Sequence, residues 1–235
     1  MRTQEAGIFL MVALGTFYLP SLVEPSIYLV DLAPIAFSIP QAPTAANDAA
    51  SSGKRILEHL VQNDKTLTQA LGFRSADEAT DANMKIGGAI AVMSISIDGL
   101  KGYTPGRDLA ELFKPTDQFL YPIKVGEKVR SAITVKKMRR TGQWQAAAFG
   151  AFGAPLAAER LNILNSVFIA RLYELELWYL GSLRGTDLTL FPITFDPVHH
   201  DVAIGKQQNA RDVLAKLMEE AKRLDSSDYR KHSRP

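Results

Sequence analysis

Gln118-Phe-Leu-Tyr-Pro-Ile-Lys-Val-Gly-Glu-Lys-Val-Arg-Ser-Ala-Ile-Thr-Val-Lys-Lys137 reads as two strands folded back on each other across Gly126-Glu127. On the first strand Phe119, Tyr121, Ile123 and Val125 share one face. On the second, Val129, Ile133 and Val135 oppose Arg130, Thr134 and Lys136. A turn at Thr141-Gly142 leads into a third strand, Gln143 to Phe149. Alternation of this kind describes an antiparallel meander with one dry and one wet face.

Working outward, Ala89 to Ile97 is β-branched and alternates in its second half, so it reads as a strand. Val167 to Tyr179 reads as one long strand and Asp187 to Phe195 as another. Helical patterns surround them. Ile56, Leu57, Leu60 and Val61 form an apolar stripe, Asp64 caps Lys65 to Leu71, and Ser75-Ala-Asp-Glu78 has capping-box spacing ahead of a helix to about Lys85. Pro155 to Leu164 is helical, and Asn209 to Leu224 carries Val213, Leu214, Leu217 and Ala221 on one stripe. The expected fold is α+β: a mainly antiparallel sheet of five to six strands with helices packed on one side.

Two stretches look related. Ala70-Leu-Gly72 corresponds to Ala148-Phe-Gly150 at an offset of 78, which also places Ile90 to Ile97 on Phe168 to Leu175. Tyr121-Pro-Ile123 resembles Phe191-Pro-Ile193 at an offset of 70. Duplication of a helix-strand-strand unit, with halves 52–137 and 143–224, is one reading. Chance matching of two α+β layouts is the other. Proline cannot donate to a ladder, so Pro122 and Pro192 are expected at edges, at bulges, or with the missing N–H facing outward. Tyr121, Pro122, Phe191 and Pro192 are therefore candidates for binding a partner along a sheet border.

Composition sets bounds on this body. Hydrophobic residues make up 46% and charged residues 22% of the 235, values of an ordinary globular protein. There is no cysteine, which removes disulfides, thiolate metal sites and thiol nucleophiles. Net charge is +2; beyond residue 46 there remain 26 basic and 22 acidic residues, too even a balance to argue for specific nucleic-acid binding.

The amino-terminal region differs from the body. Ala6 to Val23 contains no charge, and Gly7-Ile-Phe-Leu-Met-Val-Ala-Leu-Gly15 has the length and apolarity of a signal h-region. Pro20, Pro25 and Pro34 interrupt any longer helix. Ala42-Pro-Thr-Ala-Ala-Asn-Asp-Ala-Ala-Ser-Ser52 is small and polar, which places a cut near Ala46 and the start of the folded domain near Ser52, running to residue 224 ahead of a polar tail over 225–235. The expectation is export to an extracytoplasmic space such as the bacterial periplasm. A retained segment would instead tether the protein to a membrane as a structural subunit.

Candidate chemistry is sparse. Asp196-Pro-Val-His199-His200-Asp201 groups imidazoles and carboxylates, yet neighbours in an extended segment point apart, and only His59 and His232 remain to complete a metal site. Glu174 and Glu176 would share one face of the Val167 to Tyr179 strand, as an acid/base pair or as its wet side. Ser51-Ser-Gly-Lys54 has S-x-x-K spacing without the companion elements of serine acyl enzymes. Lys136-Lys-Met-Arg-Arg140 is the densest basic run, at a strand turn, where it either contacts phosphate or anionic lipid or, the better reading, keeps a hairpin tip solvated. These features favour a non-catalytic binding or assembly module without a cofactor, its partner a protein or a small apolar ligand. The alternative is a hydrolase or lyase built on His199 or His200 with Asp196, Asp201, Glu174 or Glu176.

Overall fold

The computed structural model describes residues 38–104, 108–150, 167–184, 187–193 and 208–223, with the side chain of residue 110 left aside. All belong to one compact unit beginning at Ala33. Its centre is a nine-stranded sheet in an α+β fold. In chain order the strands are β1 (Met84–Ile86), β2 (Ile90–Ser94), β3 (Lys114–Val125), β4 (Lys128–Lys137), β5 (Trp144–Gly150), β6 (Val167–Leu172), β7 (Leu177–Arg184), β8 (Asp187–Pro192) and β9 (Gln208–Asn209). The helices are α1 (Thr44–Asn63), α2 (Lys65–Ala70), α3 (Ile97–Lys101) and α4 (Ala210–Arg223).

The order across the sheet is β5-β4-β3-β2-β6-β7-β8-β9, with β1 also paired to β3. Every pairing is antiparallel except that of β2 with β6, where Ala91 aligns with Phe168 and Ser94 with Arg171. β1 and β2 lie along the same side of β3, separated by Gly87 to Ala89. That interruption accommodates Pro122. Gly87 N–H donates to the Pro122 carbonyl at 2.7 Å, so the missing N–H of Pro122 also faces the gap, where no strand needs it. Pro122 therefore sits in an interior strand, between β4 and the broken β1–β2 pair, rather than at a border. Pro192 ends β8; Ile193 N–H donates to Trp178 O across β7, so the Pro192 nitrogen points to the opposite side of β8.

One face of the sheet carries two apolar clusters. α1 presents Ala46, Ala49, Ala50, Gly53, Leu57 and Val61 to Phe119, Tyr121, Ile133 and Val135. α3 and α4 pack with Met93, Phe168, Ala170, Tyr179, Leu188 and Leu190. The other face bears Ile90, Val92, Leu120, Ala132, Ile169, Trp178, Leu180 and Phe191, also buried. The face of β4 read as wet is thus dry in its middle: Ala132 and Thr134 are 4% and 7% exposed, and exposure begins only at Lys136.

Several expected boundaries move. α1 starts at Thr44, not near Ser52, and Ala46 and Ala50 have no exposed surface, so a cut after Ala46 would remove part of a packed helix. After Ser75 comes a short 3-10 turn, Ala76–Ala79, followed by β1 in place of a helix to Lys85. The reason is local. The Glu78 carboxylate accepts from Arg74 N–H at 2.8 Å and pairs with Arg130 at 3.2 Å, tying the turn to β4. The long strand from Val167 breaks at a 3-10 turn, Tyr173–Leu175, and Glu176 takes a left-handed conformation, φ 53°, that reverses the chain into β7. The expected helix from Pro155 to Leu164, the amino-terminal apolar run and the carboxyl-terminal tail lie outside the described residues.

Candidate functional site

β2, β4 and β6 run in the same direction, so their carboxyl ends lie together at one end of the sheet. There the pairing of β2 with β3 slips. Ala91 is opposite Phe119 but Met93 is opposite Pro115, so β3 carries two extra residues. Such a bulge re-aims side chains and leaves a ladder carbonyl without its donor. Thr116 supplies the replacement: its hydroxyl donates to the Val92 carbonyl. Beyond the bulge, Ser94 donates to Lys114 O, and Ser96 caps α3 by accepting from Gly99 N–H at 3.0 Å.

These irregularities open a crevice of about 550 Å³, within the usual size for a small-molecule site. Ser94, Ser96, Thr116 and Gln118 form its polar lining, with Lys136, Lys137 and Arg139 from the end of β4 and its turn, Asp117 from the bulge, and Tyr173 and Glu174 from the break after β6. Among the described residues, the side chains of Lys136, Lys137, Arg139, Asp117 and Glu174 form no ion pair.

Tyr173 is held from two directions. Gln118 Nε2 donates to its hydroxyl at 3.1 Å, and the Arg171 guanidinium lies 4.0 Å from the centre of its ring. The same guanidinium is 4.1 Å from the Trp178 ring, so it is sandwiched between the two aromatics. Burial pulls the Arg171 guanidinium below its ordinary pKa, opposed by Tyr173 and Glu176. Tyr173 remains 39% exposed. One aromatic ring is thereby fixed at the edge of the crevice, its orientation set before any ligand arrives.

The residues singled out in the sequence scatter. Glu174 lines the crevice; Glu176 is two positions on, past the turn and outside the lining, so the two do not share a strand face. Asp196, His199, His200, Asp201 and His232 lie outside the described residues. His59 is on α1 with Nδ1 2.9 Å from the Asn63 amide. Among the described residues no three metal-ligating side chains gather. Tyr121 is buried beneath α1 and donates to Asn47 Oδ1 at 2.9 Å; Phe191 is buried in the opposite face. Ser51 donates to Asn47 O while Lys54 pairs with Asp81 at 2.7 Å, so S-x-x-K is two consecutive helix anchors. Of the motifs read from the sequence, the basic run after Val135 contributes most to the crevice. The hydroxyls and Gln118 were missed because nothing in their spacing marks a bulge except Pro115, a residue that favours strand starts and bulges.

No protein-family model, curated protein or solved structure matches this chain.

Proposed function

We propose that this is an exported, extracytoplasmic binding module that holds a small polar ligand in the crevice at the carboxyl ends of β2, β4 and β6, without transforming it. The observation that carries the reading is a set of five charged side chains, with no ion pair among the described residues, around a bulge-built hollow. Pre-positioned polar groups in a concave site are what ligand recognition requires. Export rests on the uncharged run from Ala6 to Val23. The ligand differs from the protein or small apolar one expected of the sequence, since hydroxyls, an amide and five charges join Ile95, Pro115 and Tyr173 in the lining. Duplication of the helix-strand-strand unit belongs to the same proposal. β2 and β6 hold corresponding places at the offset of 78, while the aromatic-Pro-Ile segments fall on β3 and β8, one and two strands away respectively.

The test is thermal unfolding of the full chain against a defined panel: amino acids, short peptides, sugar phosphates, neutral sugars and a fatty acid. The proposal expects at least one polar compound to raise the melting temperature, with the rise lost in Lys136→Glu and the compound recovered intact. Stabilisation that survives in Lys136→Glu, stabilisation by the fatty acid alone, or no stabilisation would overturn it. Recovery of a cleaved compound would replace it with the hydrolase or lyase reading.

A further inference from the structure

The crevice is electrically lopsided. Its cations, Lys136, Lys137 and Arg139, all come from the end of β4 and the turn beyond, whereas its carboxylates, Asp117 and Glu174, come from β3 and from the break after β6. β4 and β6 are three steps apart in the sheet, β4-β3-β2-β6. At ~4.8 Å per step this separates the cationic wall from Glu174 by roughly 14 Å. Between them Thr116 and Gln118 form the floor. Gln118 commits its amide N–H to Tyr173, which leaves its Oε1 to accept.

The geometry points to a dipolar ligand with a carboxylate at one end and an ammonium at the other: a short extended peptide with free termini. The inference rests on the crevice being the binding site. At ~3.3 Å per residue, about four residues span the distance between the charged walls. The carboxylate meets Lys136, Lys137 and Arg139; the amine meets Glu174; an amide N–H of the peptide donates to Gln118. A free amino acid is too short to reach from the cationic wall to Glu174, and a simple anion leaves both acids unanswered.

Tetra-alanine, its N-acetyl form, its C-terminal amide and inorganic phosphate are each titrated into the 15N-labelled full chain, following the amide shifts of Thr116 and Gln118. The free tetrapeptide is expected to move both, with acetylation and amidation each weakening binding about tenfold or more. Lys136→Glu/Lys137→Glu, with its melting temperature checked, is expected to make the free and amidated peptides equivalent. If the acetylated peptide binds as well as the free one, or phosphate alone moves these amides, the ligand is an anion and the dipolar assignment is overturned, although the crevice remains the binding site. If none of the four moves them, the peptide assignment is overturned. If the wider panel also leaves them unmoved, the crevice reading falls with it.

Discussion

The ring of Phe168 lies directly over Gly181, its cross-strand partner between β6 and β7. A methyl group at residue 181 would fall inside van der Waals distance of three ring carbons. Phe168 has no exposed surface and meets Phe113 edge-on, centroids 5.4 Å apart at 83°. The ring is therefore enclosed on both sides. Gly181→Ala is expected to destabilise the fold by about 1–3 kcal/mol, the usual cost of overpacking a core. In a Phe168→Leu background the added cost of Gly181→Ala should shrink, because the two residues share one space. Urea unfolding of the four proteins measures both quantities.

Gly53 makes a similar close approach between layers. A Cβ there would stand 2.8 Å from Ala146 Cβ and 3.1 Å from Ile133 Cγ2, so α1 can seat on β4 and β5 only with glycine at that turn. Gly53→Val should cost about 1–3 kcal/mol and be partly relieved by Ala146→Gly. Gly88→Ala, where a Cβ meets nothing within 4 Å, serves as the control and should leave the unfolding free energy within about 0.5 kcal/mol of wild type.

That seating explains what could and could not be read from the residues. Ala46, Ala49, Ala50 and Gly53 recur at helical spacing, but small side chains among Ser and Asn look like a flexible exit, and Pro43 offers no side-chain cap to mark the start. The hairpin of β3 and β4 was legible because alternation and Gly126, φ 59°, agree. The break at Tyr173 was not: Leu172 to Tyr179 contains neither glycine nor proline, and the reversal falls on Glu176, whose left-handed conformation no pattern announces. One wall of the crevice, Tyr173 and Glu174, hangs on that break. The basic run of its other wall was visible, though its role emerges only once the bulge brings Thr116 and Gln118 beside it.

Tyr121 links stability to alkaline pH. Its buried phenol is pushed up to about 12 from an ordinary value near 10. A raised acid pKa favours the neutral form in the folded state. Its contribution is present below about pH 10 and is lost as pH rises through about 12. Tyr121→Phe removes the bond to Asn47, at a cost of about 0.5–1.5 kcal/mol near neutral pH. The variant should lose stability less steeply than wild type between pH 10 and 12. Burial raises the Tyr179 hydroxyl as well, so the slope flattens without vanishing. Guanidinium midpoints at pH 7, 10, 11 and 12 provide the comparison.

The proposal of export makes a prediction about the mature chain. Ile39 packs against both helix-covered clusters and Ala42 against the one beneath α1. Processing that preserves these contacts falls before Ile39, eight or more residues upstream of the cut read from the sequence. Mass spectrometry of the intact protein recovered from the periplasm should return a first residue no later than Ile39. A mature chain starting at residue 47 would show that the first turn of α1 is dispensable.

Ligand is proposed to enter the crevice around the β3 bulge. Amide shift mapping of the full chain with whichever compound stabilises it most tests this directly. The largest changes are expected in Ser94 to Ser96, Thr116 to Gln118, Lys136 to Arg139 and Tyr173 to Glu174, and they should disappear in Lys136→Glu. Changes centred elsewhere, such as the smaller hollow between Asp98 and Leu112, would contradict it.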